Sequence, residues 1–180
     1  MILVALIWIP SFAFSLDLPK PSAGYSWTEC PEIKGALLVP DGWSFRRVAS
    51  EDKLAYFVTE EAFQPPQTFD VGVTVNVIRD VPAKMSKQPS IFAKEYVELA
   101  AKSNSEAKTW TTTSGTFVSH GVLYVGVGNK LGFKFYNLII ANDRTGTAYS
   151  VTFEAPTVDW DRKWQVVEQV LKQLALDDEV

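Results

Sequence analysis

The sequence predicts an α+β domain, an antiparallel β-sheet with a central hairpin and meander covered by two or more helices. Three observations carry this. Residues 71–79 alternate, with Val71, Val73, Val75 and Val77 on one face and Gly72, Thr74, Asn76 and Ile78 on the other. Such alternation marks an antiparallel strand with one covered face. Between residues 121 and 155, three β-rich runs are separated by the short glycine-bearing segments NKLG and DRTG, which is hairpin chemistry. From residue 159 onward, Trp160, Trp164, Val167, Leu171 and Leu174 recur at steps of four, three, four and three, forming one apolar stripe of a helix. Strands in two groups, a helix between them and a helix at the end place helices over an antiparallel sheet.

Taken in chain order, residues 1–15 read as a secretory signal peptide. Ile2 to Ile9 are unbroken apolar residues, Pro10 ends the run, and Ala13 and Ser15 are small residues at the two cleavage-determining positions, with cut after Ser15. The run is shorter than the roughly 20 residues that span a bilayer. The first basic residue is Lys20, so no charge precedes the apolar run, and the competing reading is a buried N-terminal element. Residues 16–34, with Pro19, Pro21, Pro31 and Gly24, are expected to be an irregular lead-in. Residues 35–176 form a single domain, and 177–180 an acidic tail.

Regular structure is expected from Ala36. ALLV is a short buried strand, and Pro40-Asp41-Gly42 a turn in which proline presets φ and glycine accepts the tight position. The turn is expected to close a hairpin with WSFRRV, placing Trp43 and Phe45 on one face and Arg46 and Arg47 on opposite faces, so that at least one arginine meets solvent or a carboxylate, a solvated face being the first expectation. KLAYFVTEE makes a third strand and the valine run a fourth. A polar loop from Asp80 to Pro89 leads to a helix capped by Ser90, with Phe92, Tyr96, Leu99 and Ala100 on its buried stripe. AKTWTTT is a β-branched strand. Core packing is the first expectation for its Trp110, which is also the tryptophan best suited to exposure. Asp159 or Asp161 can cap the terminal helix.

Composition limits the function. The 180 residues are 47% hydrophobic and 21% charged with a net charge of −4, an ordinary globular balance. Nucleic-acid binding needs a basic stripe that this chain lacks. Six acidic residues against three basic ones fall between Val158 and Val180. Cys30, the single cysteine, cannot close an internal disulfide and lacks the small apolar residues that precede a lipidated cysteine. His120, the single histidine, stands in Ser119-His120-Gly121, read as a turn between strands. A Ser–His relay would need a nucleophile elbow of the form G-x-S-x-G, and none occurs. One histidine and one distant cysteine cannot make a zinc site. Asp80, Asp143, Asp159 and Asp161 stand near element ends, where caps and turns account for them; a calcium site built from them is the alternative. Gly126, Gly128 and Gly132 lie between strands, where a dinucleotide fingerprint needs a strand and a helix. No catalytic, cofactor or metal residues are assigned, and no cofactor is expected.

The order of pieces carries a resemblance. VPDGW ends a strand, a valine-alternating strand follows, then a helix with FAKEYVELAAK, a meander, and the closing YSVTFEAPTVDWDRKWQVVEQVLKQL. Over residues 35–176 this resembles the PsbP-like domain family, which includes the extrinsic PsbP protein of photosystem II, the Mog-type Ran-binding protein and secreted bacterial domains. The resemblance implies an antiparallel sheet sandwiched by helices and a non-enzymatic role in binding or assembling another protein. It also fits an exported (periplasmic, lumenal or secreted) location for the chain. Residues 16–34 are shorter than the N-terminal segment of photosynthetic PsbP, so no site residue is carried over. The expected function is therefore an exported binding or assembly factor acting on a protein or envelope partner, with no nucleic acid and no transmembrane anchor. Alternatives are a small-ligand or metal-ion binder using a cleft between sheet and helix, and a hydrolase built on His120.

Overall fold

The computed structural model describes residues 18–64, 67–126, 130–177 and 179–180. Residues 1–15, for which a signal peptide is expected, lie outside them. The chain forms β1 (Tyr25–Cys30), β2 (Gly35–Pro40), β3 (Ser44–Ala49), β4 (Leu54–Thr59), β5 (Gly72–Ile78), α1 (Val81–Met85), α2 (Pro89–Lys102), β6 (Lys108–Ser114), β7 (Phe117–Val125), β8 (Phe133–Asn142), β9 (Thr147–Pro156) and α3 (Trp160–Lys172). Seven strands make one antiparallel sheet in the order β3-β4-β5-β9-β8-β7-β6. β1 and β2 make a separate antiparallel ribbon. The α+β expectation therefore holds, as does the meander β7-β8-β9.

Alternation decides the two faces of the sheet. In β5 and β9, Val73, Val75 and Val77 stand beside Phe153, Val151 and Tyr149, and all six are buried. This face is closed by α3, through Trp160, Val167 and Val170, and by the ribbon. On the opposite face Ile139, Ala141 and Ala148 pack under Val81 of α1 and Ala93 of α2.

The residues expected to form an irregular lead-in contain a strand. β1 pairs residue for residue with β2 from Tyr25–Pro40 to Cys30–Gly35. Its exposed outer residues hide the pattern, because only its ends, Tyr25 and Cys30, reach the core. The PDG turn forms as expected, with the Trp43 amide donating to the Pro40 carbonyl at 3.0 Å and Gly42 at φ +79°. It does not close a hairpin, however: β2 pairs with β1 and β3 with β4. The turn instead carries the chain from the ribbon to the edge of the sheet, and Trp43 is partly buried against the core.

The ribbon is fastened at both ends. Ala36 and Ala175 exchange backbone hydrogen bonds of 2.9 and 3.2 Å, and the Tyr25 hydroxyl donates to the Val166 carbonyl at 3.1 Å. Beside Ala36, in the turn that joins β1 to β2, Glu32 accepts from the Tyr56 hydroxyl at 2.8 Å and pairs with Arg47, while Arg79 donates to the Glu32 carbonyl. Arg47 thus meets a carboxylate, one of the two outcomes expected of the pair, and acts as a latch residue with its side chain still 46% exposed. Burial pushes the Glu32 carboxyl up, but the Tyr56 hydroxyl, the local backbone and Arg47 outweigh it and hold it below the usual range. A carboxyl depressed in the folded state stabilises above its unfolded pKa, near 4.3 for glutamate, and loses that contribution as pH falls through its folded value. Glu32→Gln is accordingly expected to lower stability at pH 7 by about 1 kcal/mol, discounted for partial exposure. In denaturation curves the gap from wild type should close on acidification; a gap constant with pH would refute the latch.

The expected Asp80–Pro89 loop contains α1. α2 starts at Pro89, so Ser90 lies inside the first turn rather than capping it. The cap comes from the β8–β9 turn: Asp143 accepts from the Ser90 amide at 2.8 Å and from its hydroxyl at 2.6 Å. A carboxylate there satisfies an orphan N–H and faces the positive end of the helix. Asp143→Ala should cost about 1 kcal/mol, read as a melting temperature lowered by about 2–4 °C; an unchanged value would remove the cap from the account. The buried stripe of α2 is Pro89, Ala93 and Val97, while Tyr96 and Leu99 are exposed. Small residues let the helix sit close to a sheet face floored by Ala141 and Ala148.

Candidate functional site

α3 packs on β9 and β2, and among the described residues solvent-open clefts lie between it and β6 and β7 on the same face of the sheet. The open shelf is aromatic. Trp110 of β6 stands opposite Gly121 of β7, and a Cβ on Gly121 would lie 2.1 Å from the indole. Only glycine there allows the ring to lie flat on the neighbouring strand. A run of ring contacts leads inward, from Trp110 to Tyr136 (5.0 Å between centroids), Tyr136 to Trp164 (5.1 Å), Trp164 to Trp160 (5.7 Å, stacked) and Trp160 to Phe153 (4.7 Å). Trp110, Leu123, Tyr136, Trp160 and Trp164 enclose a solvent-open apolar cleft of about 380 Å³. The Lys134 ammonium lies 4.8 Å above the Trp160 ring, a cation–π contact.

A second cleft of about 300 Å³ continues along the same face, bounded by Ser114, Phe117, Leu138, Leu171 and Leu174. Trp110 stands two residues inside the start of β6 and Ser114 at its end, and Trp164 and Leu171 face them from two turns of α3. The two clefts thus form one groove between helix and edge strand. Across the sheet a third cleft, of about 470 Å³, runs between α2 and β6 and is lined by Lys94, Glu98, Lys102, Thr109, Thr111 and His120.

His120 is not in a turn. It lies within β7, its Nδ1 3.0 Å from the Thr111 hydroxyl; the turn before β7 is at Gly115, where φ is +57°. Burial pushes its pKa down and Lys94 adds to this, with Glu98 opposing. The ring is a neutral hydrogen-bonding group at pH 7. Ser119 and His120 are adjacent on one strand and so point to opposite faces: Ser119 lines the groove beside α3 and His120 the cleft beside α2. The structure therefore places Ser119 and His120 on opposite faces of the sheet.

The carboxylates considered for calcium are likewise apart: Asp143 binds Ser90 and Asp159 pairs with Arg162 at 2.7 Å. Asp80 and Asp161 stand at the starts of α1 and α3. Among the described residues no three His, Cys, Asp or Glu side chains gather as a metal site, and no helix is long and apolar enough to cross a membrane. Cys30 is wholly buried, and burial, with Glu32 nearby, pushes its thiol up to about 12. Arg46 and Arg47 point to opposite faces as expected, but neither is free. Arg46 donates to the Phe63 carbonyl at 3.0 Å and to Gln64 Oε1 at 2.7 Å, and lies 5.8 Å from the Phe63 ring.

No family model matches the chain, and no curated protein matches it in sequence. Its backbone is nevertheless shared with solved structures. It superposes on the solution structure of cyanobacterial PsbP (CyanoP) from Synechocystis sp. PCC 6803 with a TM-score of 0.56 and 12% identity, covering 87% of this chain and 95% of the other. The fold is PsbP-like. The Ran-binding protein Mog1p of Saccharomyces cerevisiae shares the PsbP-like fold at a TM-score of 0.51 and 13% identity, over 86% of this chain and 96% of its own. At such identities the likeness is one of backbone, and the groove is described from this chain's residues alone.

Proposed function

We propose that this chain is an exported, non-catalytic binding or assembly factor that holds another protein, with the groove between α3 and β6 as its contact surface. The observation that carries the reading is the solvent-open aromatic cleft of Trp110, Leu123, Tyr136, Trp160 and Trp164. Tryptophan and tyrosine in a concave apolar patch are the residue types that anchor protein interfaces. A PsbP-like fold shared with a protein described as Ran-binding supports the same class of role. The apolar start of the sequence supports export and makes an envelope protein the partner.

Two measurements on the native host test this. Intact mass and N-terminal sequencing of the recovered protein should find a chain starting at Leu16 outside the cytoplasm; an intact Met1 inside it would overturn export. A photo-crosslinking amino acid at position 112, beside the groove, should give one discrete protein adduct. The same group at position 84, on α1, should give none. Equal labelling from both positions would overturn the groove as the contact surface. A cleft of about 380 Å³ also falls within the size of small-ligand sites. That second reading requires an apolar molecule retained by the purified protein in native mass spectrometry.

A further inference from the structure

We infer that the partner is bound by strand addition. An extended segment of it pairs, as an eighth strand, with the edge of β6 that no described strand pairs, its large apolar side chains entering the aromatic groove and its acidic ones lying on the α2 side. The inference rests on the protein-binding reading above and specifies its mode.

The first argument is the state of the edge. Natural sheet edges are blunted by bulges, proline, charge or short length, because unpaired N–H and C=O groups recruit other strands. β6 pairs with β7 through seven consecutive residues without a bulge, from Lys108–Leu123 to Ser114–Phe117. Its sequence, KTWTTTS, has four β-branched threonines, no proline and one charge, and nearly all of it is exposed. It is the last strand of the sheet on that side. The opposite edge, β3, is managed: Arg46 and Arg47 bind the 63–64 segment and Glu32.

The second argument is register. Side chains of an added strand would alternate between the two faces. One placed beside Trp110 meets the 380 Å³ cleft. One four residues on, about 13 Å away, meets the 300 Å³ cleft beside Ser114. Large apolar residues at i and i+4 are therefore specified, with the residue between them crossing Thr112.

The third argument is charge. Intervening residues face the cleft of Lys94, Glu98 and Lys102. Glu98 already pairs with Lys94 at 3.9 Å, whereas Lys102 has no acidic partner among the described residues, which leaves this side an excess of positive charge in a chain whose net charge is −4. Carboxylates at i+1 or i+3 fit it. Backbone pairing for affinity and alternate side-chain pockets for specificity is the known logic of strand addition.

The test uses the full chain and a display library of random peptides of about twelve residues, long enough to span the edge. Selected peptides should carry large apolar residues four apart with acidic residues between. Binding of the consensus peptide, followed by fluorescence titration, should weaken about tenfold or more in Trp110→Ala, the size expected for an interface anchor. Successive residues of an edge strand turn their N–H groups alternately inward and outward. One of Thr111→Pro and Thr112→Pro therefore removes an outward donor while sparing the β6–β7 ladder. That variant should keep its near-ultraviolet circular dichroism and lose the peptide. Should both proline variants unfold, amide exchange decides, and β6 amides of the wild type should slow when the peptide is bound.

Peptides insensitive to both prolines, or no change in β6 exchange, would overturn strand addition while leaving the groove as a binding surface. Failure to enrich any alternating peptide would overturn it too, as would concentration-dependent dimerisation abolished by the same proline, which would make a second copy of the chain the occupant. The crosslinking experiment above reports on the protein-binding reading independently of these outcomes.

Discussion

Phe153→Ala is expected to destabilise the protein by about 3–5 kcal/mol, the range for truncating a buried phenylalanine. Phe153 is fully buried on β9, between β5 and β8 in the sheet, opposite Val73 and Tyr136. Its ring stands 4.7 Å from that of Trp160 and 6.0 Å from that of Trp164. It thus joins the sheet to α3 at the point where the helix becomes the wall of the groove. Neither neighbour can collapse into the vacated space: both tryptophans belong to a helix held at its other end by the Ala36–Ala175 bridge. Lost transfer energy therefore adds to a retained cavity. Denaturant titration at unchanged m-value measures the loss, and a melting temperature lower by roughly 10 °C should accompany it. Partner binding should weaken as well, although Phe153 lines no part of the groove, because Trp160 and Trp164 lose their floor. A cost below about 1 kcal/mol would show that α3 is held by other contacts.

The second large effect is asymmetric. Lys163 of α3 is 5% exposed and its ammonium pairs with the Glu60 carboxylate, just beyond β4. Glu60 is the more accessible partner, with 39% of its side chain exposed. Removing the acid strands a positive charge under the helix, so Glu60→Ala should cost about 2–3 kcal/mol, below the 3–5 of a fully buried pair because water reaches this one. Removing the base frees Glu60 to turn outward. Lys163→Met, which keeps the apolar stem, should cost less than about 1 kcal/mol or stabilise. A double-mutant cycle checks both values, and equal losses from the two single variants would contradict the asymmetry.

Both effects follow from contacts between residues far apart in the chain, and that is where sequence reading lost its grip. The valine alternation of β5 and the Trp160–Leu174 stripe of α3 were legible because each is a local period set by backbone geometry. The glycine turns at Gly42 and Gly146 were legible for the same reason, as positive φ at those positions excludes most other residues. The order of these pieces was enough to mark the PsbP-like fold. By contrast, PDG made a good turn in the wrong setting: turn chemistry describes four residues and does not say which strands flank them. β1 was missed because only the ends of its six residues reach the core. Part of the α2 stripe was turned to the wrong face because Tyr96 and Leu99 carry more apolar surface than Ala93 and Val97, while close approach to the sheet selects the smaller pair; Phe92 does pack against the core.

The sequence by itself determined the local periods, the turns and, through their order, the fold class. The tertiary structure alone decided the groove, the Asp143 cap and the Glu32 latch. Their contacts Glu32–Tyr56, Trp110–Tyr136 and Ser90–Asp143 join side chains 24, 26 and 53 positions apart. The physical reason is that period reports which face of an element is apolar, whereas register and helix placement decide whether that face is covered. Trp110 is half-open because its register sets it on Gly121 at the last strand of the sheet, beyond the reach of α3.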